Sequence, residues 1–476
     1  MSMKNLSLIS ACLLLGACGS TPAPLDSGLA APPQWRYLAA GRSDASDIRQ
    51  WWKAFGAPEL DSLLQRALLN SQDLGAAVAR VRQAQASAVI AGAPLLPELN
   101  ATLGASRQKL LRDSGYSGTD ATSDNDAVDS FSAGLSASYE VDFWGGRRAA
   151  YRSALESLKA SEYDRATVEL TLPLLSGVAN SYLQVLALRE QQRIARLNLD
   201  NAEHVLRLVE TRHAAGSATA LEVAQQSSLV ASQRKQLPLL EQQAHEALIT
   251  LATLIGEPVQ ALQVAERPFD SLRWPETGAG LPSELLSRRP DIANAEAQLA
   301  AAQADVQVAR AALFPKLTLS ASLSSGANRA ADTFRNPYYN LGANLLAPIF
   351  NHGRLRAERD RSLARQEELL ETYRKAILTA FADTERSLNS IDGLDRQLHW
   401  QQQELEQAQR AFDLSDSRYQ AGAETLLTVL ETQRTLYAAQ DAAVQLRLAR
   451  LQASVGLYKA LGGGWQSDRQ GLARKD

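Results

Sequence analysis

The feature that most constrains this chain is that it is written twice. Ala88-Val89-Ile90-Ala91 through Pro97-Glu98-Leu99 runs parallel to Asp305-Val306-Gln307-Val308 through Pro315-Lys316-Leu317, with Pro97 and Pro315 at an offset of 218. Phe143-Trp144-Gly145-Gly146-Arg147 matches Phe350-Asn351-His352-Gly353-Arg354 at 207, and Arg212-His213-Ala214-Ala215-Gly216 matches Arg418-Tyr419-Gln420-Ala421-Gly422 at 206. Leu254-Ile255-Gly256 against Ala460-Leu461-Gly462 closes each half, again at 206. The fall from 218 to 207 places eleven extra residues of the first half between Pro97 and Gly146. Such a chain folds as two copies of one supersecondary unit, whatever that unit is.

Each copy opens with a helical segment, roughly 58–92 and 282–312, and Pro97 or Pro315 then turns the chain into extended structure. Leu99, Ala101, Leu103 and Ala105 alternate with small or polar residues, and Phe131, Ala133, Leu135, Ala137, Tyr139, Val141 and Phe143 do so more strictly. Leu317, Leu319, Ala321 and Leu323, then Tyr339, Leu341, Ala343 and Leu345, repeat the pattern. Period two gives each strand one apolar and one polar face. A soluble sandwich shares that pattern, but strands of about 12 residues are long enough to cross hydrocarbon when tilted. The polar loop Arg112 to Ser130 and its shorter counterpart Asn328 to Pro337 suit such strands. Four strands cannot close a barrel, and open edges are not tolerated in lipid, so a membrane sheet of this size demands partner copies.

The rest reads as rod. From Arg354 to Gln420 there is no proline, and Leu370, Tyr373, Ile377, Phe381, Thr384, Leu388, Ile391, Leu394 and Leu398 recur at steps of three and four. At 1.5 Å per residue this segment spans about 100 Å. Its counterpart, Arg147 to Ala215, contains Pro173 and Gly177, where a kink or short break is expected. Gly216 and Gly422 end these rods and hand over to a second helix of each hairpin, where glycine supplies the left-handed turn.

At the N-terminus, Lys4 and the apolar run Leu6 to Leu15 form a signal peptide too short to span a membrane as a mature helix. It ends Leu15-Gly16-Ala17-Cys18-Gly19, which resembles a bacterial lipobox and implies a diacylglycerol on the Cys18 thiol, an ordinary signal peptide that contains a cysteine being the alternative; Cys12 also has lipobox character but leaves an apolar stretch half as long. Gly19 in place of aspartate suits travel to the outer membrane, and two or three acyl chains anchor durably where one is marginal. A Pro/Ala/Gly tether over Ser20 to Pro33 leads to Trp35, Trp51, Trp52 and Phe55, which are expected to dock this arm on the body.

Composition closes off other functions. A mean hydropathy of -0.22 excludes a polytopic helical membrane protein, and a net charge of -3 offers nothing to nucleic acid. Cysteine occurs only at Cys12 and Cys18, so disulfide scaffolds and thiolate metal sites are excluded. Gly462-Gly463-Gly464 follows a helix rather than a strand, which is not a phosphate loop. His204, His213, His245, His352 and His399 have no metal-ligand spacing. No catalytic residue, cofactor or metal is expected, and energy for any transport comes from elsewhere.

The lipobox, the Phe-x-x-Gly strand ends at 143–147 and 350–354, the tips at Gly216 and Gly422, and Leu457-Tyr458-Lys459-Ala460-Leu461-Gly462-Gly463-Gly464-Trp465 resemble the TolC-like outer membrane factors, lipoprotein type, of resistance-nodulation-division tripartite exporters. The resemblance covers essentially the whole chain. It implies a membrane β-barrel plus long α-helical barrel, each internally duplicated protomer giving four strands to a twelve-stranded homotrimer. It also implies an outer-membrane channel of a tripartite efflux pump, a passive duct for small molecules such as drugs or siderophores. Its partners are outer-membrane lipid, a periplasmic adaptor protein meeting the hairpin tips at Arg212, Gly216, Arg418 and Gly422, and an inner-membrane pump. Leu430-Glu431-Thr432-Gln433-Arg434 is similar to the family's periplasmic gate motif, with Glu431 where aspartate is usual. The first-half positions are Gln225 and Ser228, so only the second hairpin carries these charges; a gating role is the favoured reading, and an exposed pair three apart on a helix is the alternative.

The expected layout is a signal peptide over 1–17, a lipidated tether over 18–57, and a first efflux repeat over 58–256. That repeat has strands near 99–111 and 131–143 and a hairpin near 147–256. A linker over 257–281 leads to the second repeat, 282–464, with strands near 316–327 and 338–349 and a hairpin near 354–461, followed by a tail over 465–476. Two other classes compete. A periplasmic coiled-coil lipoprotein spacer leaves the strands unused, and a secreted hydrolase needs a polar pocket that no motif supplies.

Overall fold

The computed structural model describes residues 26–37, 50–109, 127–170, 174–275, 278–463 and 465. The leader with Cys12 and Cys18, residues 112–126 of the first long loop, Pro173 and the tail after 465 lie outside the described residues. In chain order, α1 (Pro58–Asn70) and α2 (Gln72–Gly92) precede β1 (Glu98–Gln108) and β2 (Val128–Val141). Then come α3 (Gly146–Leu170), α4 (Leu174–Ala214) and α5 (Ala220–Ile255). The second half supplies α6 (Pro282–Arg288), α7 (Pro290–Ala311), β3 (Lys316–Ala327), β4 (Pro337–Leu346), α8 (Arg354–Gln420) and α9 (Leu426–Ala460). The chain divides into two compact units, one of 1–27, 82–160 and 296–372, the other of 28–81, 161–295 and 373–476.

The first unit holds one antiparallel sheet in the order β1-β2-β3-β4. Its register carries the period-two pattern across every strand. Leu103 stands opposite Ala133, Leu135 opposite both Ala101 and Leu323, and Leu317 opposite Leu345. Directly opposed residues share a face, so the apolar side chains gather on one side. Rows such as Asn100-Ser136-Ser322-Asn340 occupy the other. That polar face is crowded: a Cβ on Gly104 would lie 2.8 Å from Ser132 Oγ, and one on Gly342 would lie 2.8 Å from Ser320 Oγ. The apolar face is open, with Leu103 84% and Leu341 73% exposed. Both edge strands, β1 and β4, are exposed along their whole length.

A carboxylate joins the sheet to the helix that follows. Asp142, just beyond β2, accepts the backbone N–H groups of Arg147 (2.9 Å) and Arg148 (3.0 Å), two otherwise orphaned donors in the first turn of α3. The Arg148 guanidinium adds a contact at 3.1 Å. Burial opposes ionisation of Asp142, but the Arg148 and Arg147 N–H groups and the Arg148 charge outweigh it and hold the carboxyl below its usual range. With a depressed folded pKa, the stabilisation is complete above the unfolded value of about 3.9 and fades as pH falls through the folded one. Asp142→Asn is therefore expected to be less stable than the parent at pH 7, with the gap narrowing at pH 3. Thermal unfolding at the two pH values checks this; an equal gap at both would contradict it. Beside this junction Trp144 stacks on Phe314 at 4.6 Å and donates its indole N–H to the Pro315 carbonyl at 2.7 Å.

In the second unit α4 packs on both α5 and α9. The core is built from Leu175, Tyr182, Leu183 and Leu186 of α4, Leu251 and Ile255 of α5, and Leu60 and Leu64 of α1, all essentially fully buried. The aromatic arm is part of this core. Trp35 donates to the Gly280 carbonyl at 2.9 Å, Trp51 stacks on Tyr458 at 5.2 Å, and Phe55 is wholly buried. The duplication recurs in the helix ends. Gly256 and Gly462 both have positive φ, at 79° and 95°, and pack against the carbonyls of Asn70 and Arg288.

Candidate functional site: the paired hairpin tips

The two tips have the same backbone. Gly216 and Gly422 both sit at φ 74°. The N–H of Ser217 returns to the Arg212 carbonyl at 2.8 Å, and that of Ala423 to the Arg418 carbonyl at 2.8 Å. This six-to-one bond is the Schellman closure that glycine in the left-handed region permits. Thr219 and Thr425 are the N-caps of α5 and α9.

The side chains solve the same problem differently. In the first tip Thr219 and Glu222 form a reciprocal capping box, with the Thr219 N–H donating to Glu222 at 2.6 Å. In the second, Thr428 occupies the Glu222 position, and the carboxylate comes from Glu424, which accepts the Thr425 N–H and the Thr428 hydroxyl, each at 3.1 Å. Those two hydrogen bonds, the Thr425 N–H foremost, hold the Glu424 carboxyl below its ordinary range. Leu221 and Leu427, equivalent at offset 206, are 66% and 58% exposed and give each tip an apolar point.

The tip arginines play unequal parts. Arg212 donates to the carbonyls of Tyr419 (2.6 Å) and Gln420 (3.1 Å), and its guanidinium carbon lies 4.3 Å from the Tyr419 ring centroid. It thus neutralises the carbonyl end of α8, where the helix dipole favours a cation, and stacks on a buried aromatic. Burial pushes the Tyr419 phenol up, while the Arg212 charge pulls it back. Arg418 stays in its own loop, with Glu424 at 3.5 Å and the Ala423 carbonyl at 3.3 Å.

Glu431 and Arg434 are both exposed on α9. Among the described residues no ion pair joins them, so the i,i+3 pair that their spacing permits is not made within the chain. Sequence reasoning missed the Arg212–Tyr419 clasp between the hairpins and the Glu222/Glu424 exchange; the offset of 206 could have exposed the second and the exposed leucine pair. Among the described residues no helix is long and apolar enough to cross a membrane, and no group of acidic, histidine or cysteine side chains could hold a metal.

Comparison with known proteins places this architecture. Residues 63–257 and 281–463 match the family model described as outer membrane efflux protein, and the chain belongs to that family. It is 99% identical, over the full length of both chains, to the Pyoverdine export outer membrane protein OpmQ of Pseudomonas aeruginosa. A relative of the same description from Pseudomonas putida is 59% identical over 98% of each chain. Among solved structures it is similar to the outer-membrane channel OprN, with a TM-score of 0.86 and 27% identity over 94% of this chain and 99% of that one. The open state of the Neisseria gonorrhoeae MtrE outer membrane channel gives 0.81 and 28% over 94% and 98%. The chain is an outer-membrane channel of an efflux pump, and an export duct rather than an enzyme.

Proposed function

We propose that three copies of the chain close a twelve-stranded barrel in the outer membrane, continuous with a periplasmic tunnel of helical hairpins, and that acyl chains on Cys18 tether each copy. The observation that carries this reading is the four-stranded sheet with one open apolar face and two unpaired edges. In hydrocarbon each unpaired backbone group costs several kcal/mol, and further copies are what satisfy them. Leu103 and Leu341 then face lipid, and the Ser/Asn/Gly face, with Glu98, Glu140 and Lys316 at its helix-side end, lines a water-filled lumen. A pore-less periplasmic spacer would leave this sheet without a use.

The duct is one part of a tripartite exporter of the resistance-nodulation-division type. A periplasmic adaptor seats on the tips around Arg212, Gly216, Arg418 and Gly422, where Leu221 and Leu427 offer apolar points and the caps offer polar ones. The adaptor links the duct to an inner-membrane pump, which supplies energy and chooses cargo. The near-identical relative's description points to pyoverdine as that cargo. Glu431 and Arg434 of neighbouring copies pair across the tunnel mouth and hold it narrow at rest; their exposure, and the absence of an ion pair to either among the described residues, support this.

Cysteines placed beside Gly216 and Gly422 and crosslinked in cells are expected to capture one periplasmic adaptor, identified by mass spectrometry. Cells lacking the chain are expected to retain pyoverdine. Capture of no adaptor would contradict the docking role of the tips, and undiminished pyoverdine secretion would contradict the cargo.

A further inference from the structure

The duplication also dictates how one copy meets the next. Strands β1 and β3 correspond at an offset of 218, as Leu99 and Leu317 show. Glu98 pairs with Ser138 in the first hairpin, and Lys316 with Leu346 in the second. Together these registers fix the correspondence of β2 and β4 at 208, which carries Phe131 onto Tyr339 and Gly134 onto Gly342. The even offset keeps each residue on its own face. One residue is then lost between strand and helix, giving the 207 of the Arg147 and Arg354 match.

The seam between the repeats is visible within the chain. There β2 pairs with β3: Leu135 opposite Leu323, Ala137 opposite Ala321, and Gly134 opposite Ser324. Moving β2 to its equivalent β4, and β3 to its equivalent β1, turns this internal seam into one between copies. We propose that β4 pairs antiparallel with β1 of a second copy, in the register that sets Leu345 opposite the partner's Leu103, Ala343 opposite the partner's Ala105, and Gly342 opposite the partner's Ser106. This deepens the barrel reading above and rests on it.

Three features favour that register. First, the Gly-Ser pairing recurs: a Cβ on Gly134 would lie 3.1 Å from Ser324 Oγ, and the copied seam again sets glycine against serine. Second, the volumes alternate. The internal seam has a Leu-Leu pair at 135/323 followed by Ala-Ala at 137/321. The seam between copies has the same two pairs in reverse order, Ala-Ala at 343/105 followed by Leu-Leu at 345/103, so each apolar side chain again meets one of its own size. Third, alternatives lose one or both. A one-residue slip brings Leu345 beside the polar-face residues Thr102 or Gly104. A two-residue slip keeps the faces but sets Gly342 against Gly104 or Gln108. In the favoured register Gln108 instead meets Asn340, amide against amide.

The test uses membranes holding the full chain with paired cysteines. Leu103 and Leu345 lie on opposite edges of the sheet, three strand spacings apart at about 4.8 Å each, so a short thiol crosslinker joins them only between copies. The L103C/L345C chain is expected to convert from monomer to linked dimer and trimer bands more completely than A101C/L345C or A105C/L345C. Each single variant controls for Cys18. Strongest linking by A101C/L345C or A105C/L345C would overturn the register while leaving closure by copies intact. Linking by none of the pairs in a protein that purifies as a trimer would overturn the β4–β1 contact. A protein that stays monomeric in membranes would overturn the barrel reading itself.

Discussion

Glu431→Gln combined with Arg434→Gln is expected to raise the single-channel conductance of the purified protein severalfold in planar bilayers. Both side chains are exposed on α9, three residues apart, and are not joined to each other. In the proposed resting state they find partners on neighbouring copies. A charge-assisted hydrogen bond contributes about 1.5–3 kcal/mol, and 1.4 kcal/mol is about tenfold in an equilibrium. Losing one such contact per copy is enough to move a closed duct toward open. Arg212→Ala tests the same mouth from the other hairpin, since it removes two bonds to the end of α8 and the stacking on Tyr419. It is expected to raise conductance less, because Glu431 and Arg434 remain. Altered ion selectivity with unchanged conductance in the double variant would make these two residues lining charges rather than a gate.

Gly462→Ala is expected to be the most damaging of three glycine-to-alanine changes, at about 2–4 kcal/mol. At φ 95°, an L-residue is strained by roughly 1 kcal/mol. The new Cβ would also clash with the Arg288 carbonyl oxygen, so backbone must move, an overpacking cost of about 1–3 kcal/mol. Gly256→Ala meets the Asn70 carbonyl oxygen at 2.7 Å, a milder version of the same clash. Gly216→Ala has φ 74° but nothing within 4 Å, leaving about 1 kcal/mol of strain alone. Thermal unfolding of the three variants checks the order 462, 256, 216. Equal losses at 462 and 216 would mean that the contact with Arg288 carries no weight.

The features most legible in the sequence were those written by a short period. Alternation at 99–105, 131–143, 317–323 and 339–345 specified both sheet faces, because in antiparallel pairing a face is a matter of parity. The proline-free run Arg354 to Gln420 coincides with α8. Strand ends were less legible, since they depend on neighbours. β2 begins at Val128 rather than 131, because Val128 and Asp129 pair with Gln108 and Arg107, and β4 stops at Leu346 rather than near 349, where Pro348 follows and no strand lies on its outer side. The break expected near Pro173 concerns residues 171–173, which lie outside the described residues, while Pro238 lies inside α5 without ending it. At the tips, the glycines announced the turns. The Arg212–Tyr419 clasp did not show, because it joins residues 207 apart whose meeting depends on how two hairpins pack.

The conducting function requires that this four-stranded sheet be a third of a wall. Native mass spectrometry of the lipidated protein released from lipid nanodiscs tests it directly. A complex of three chains is expected, whereas a single chain or a pair would contradict the claim.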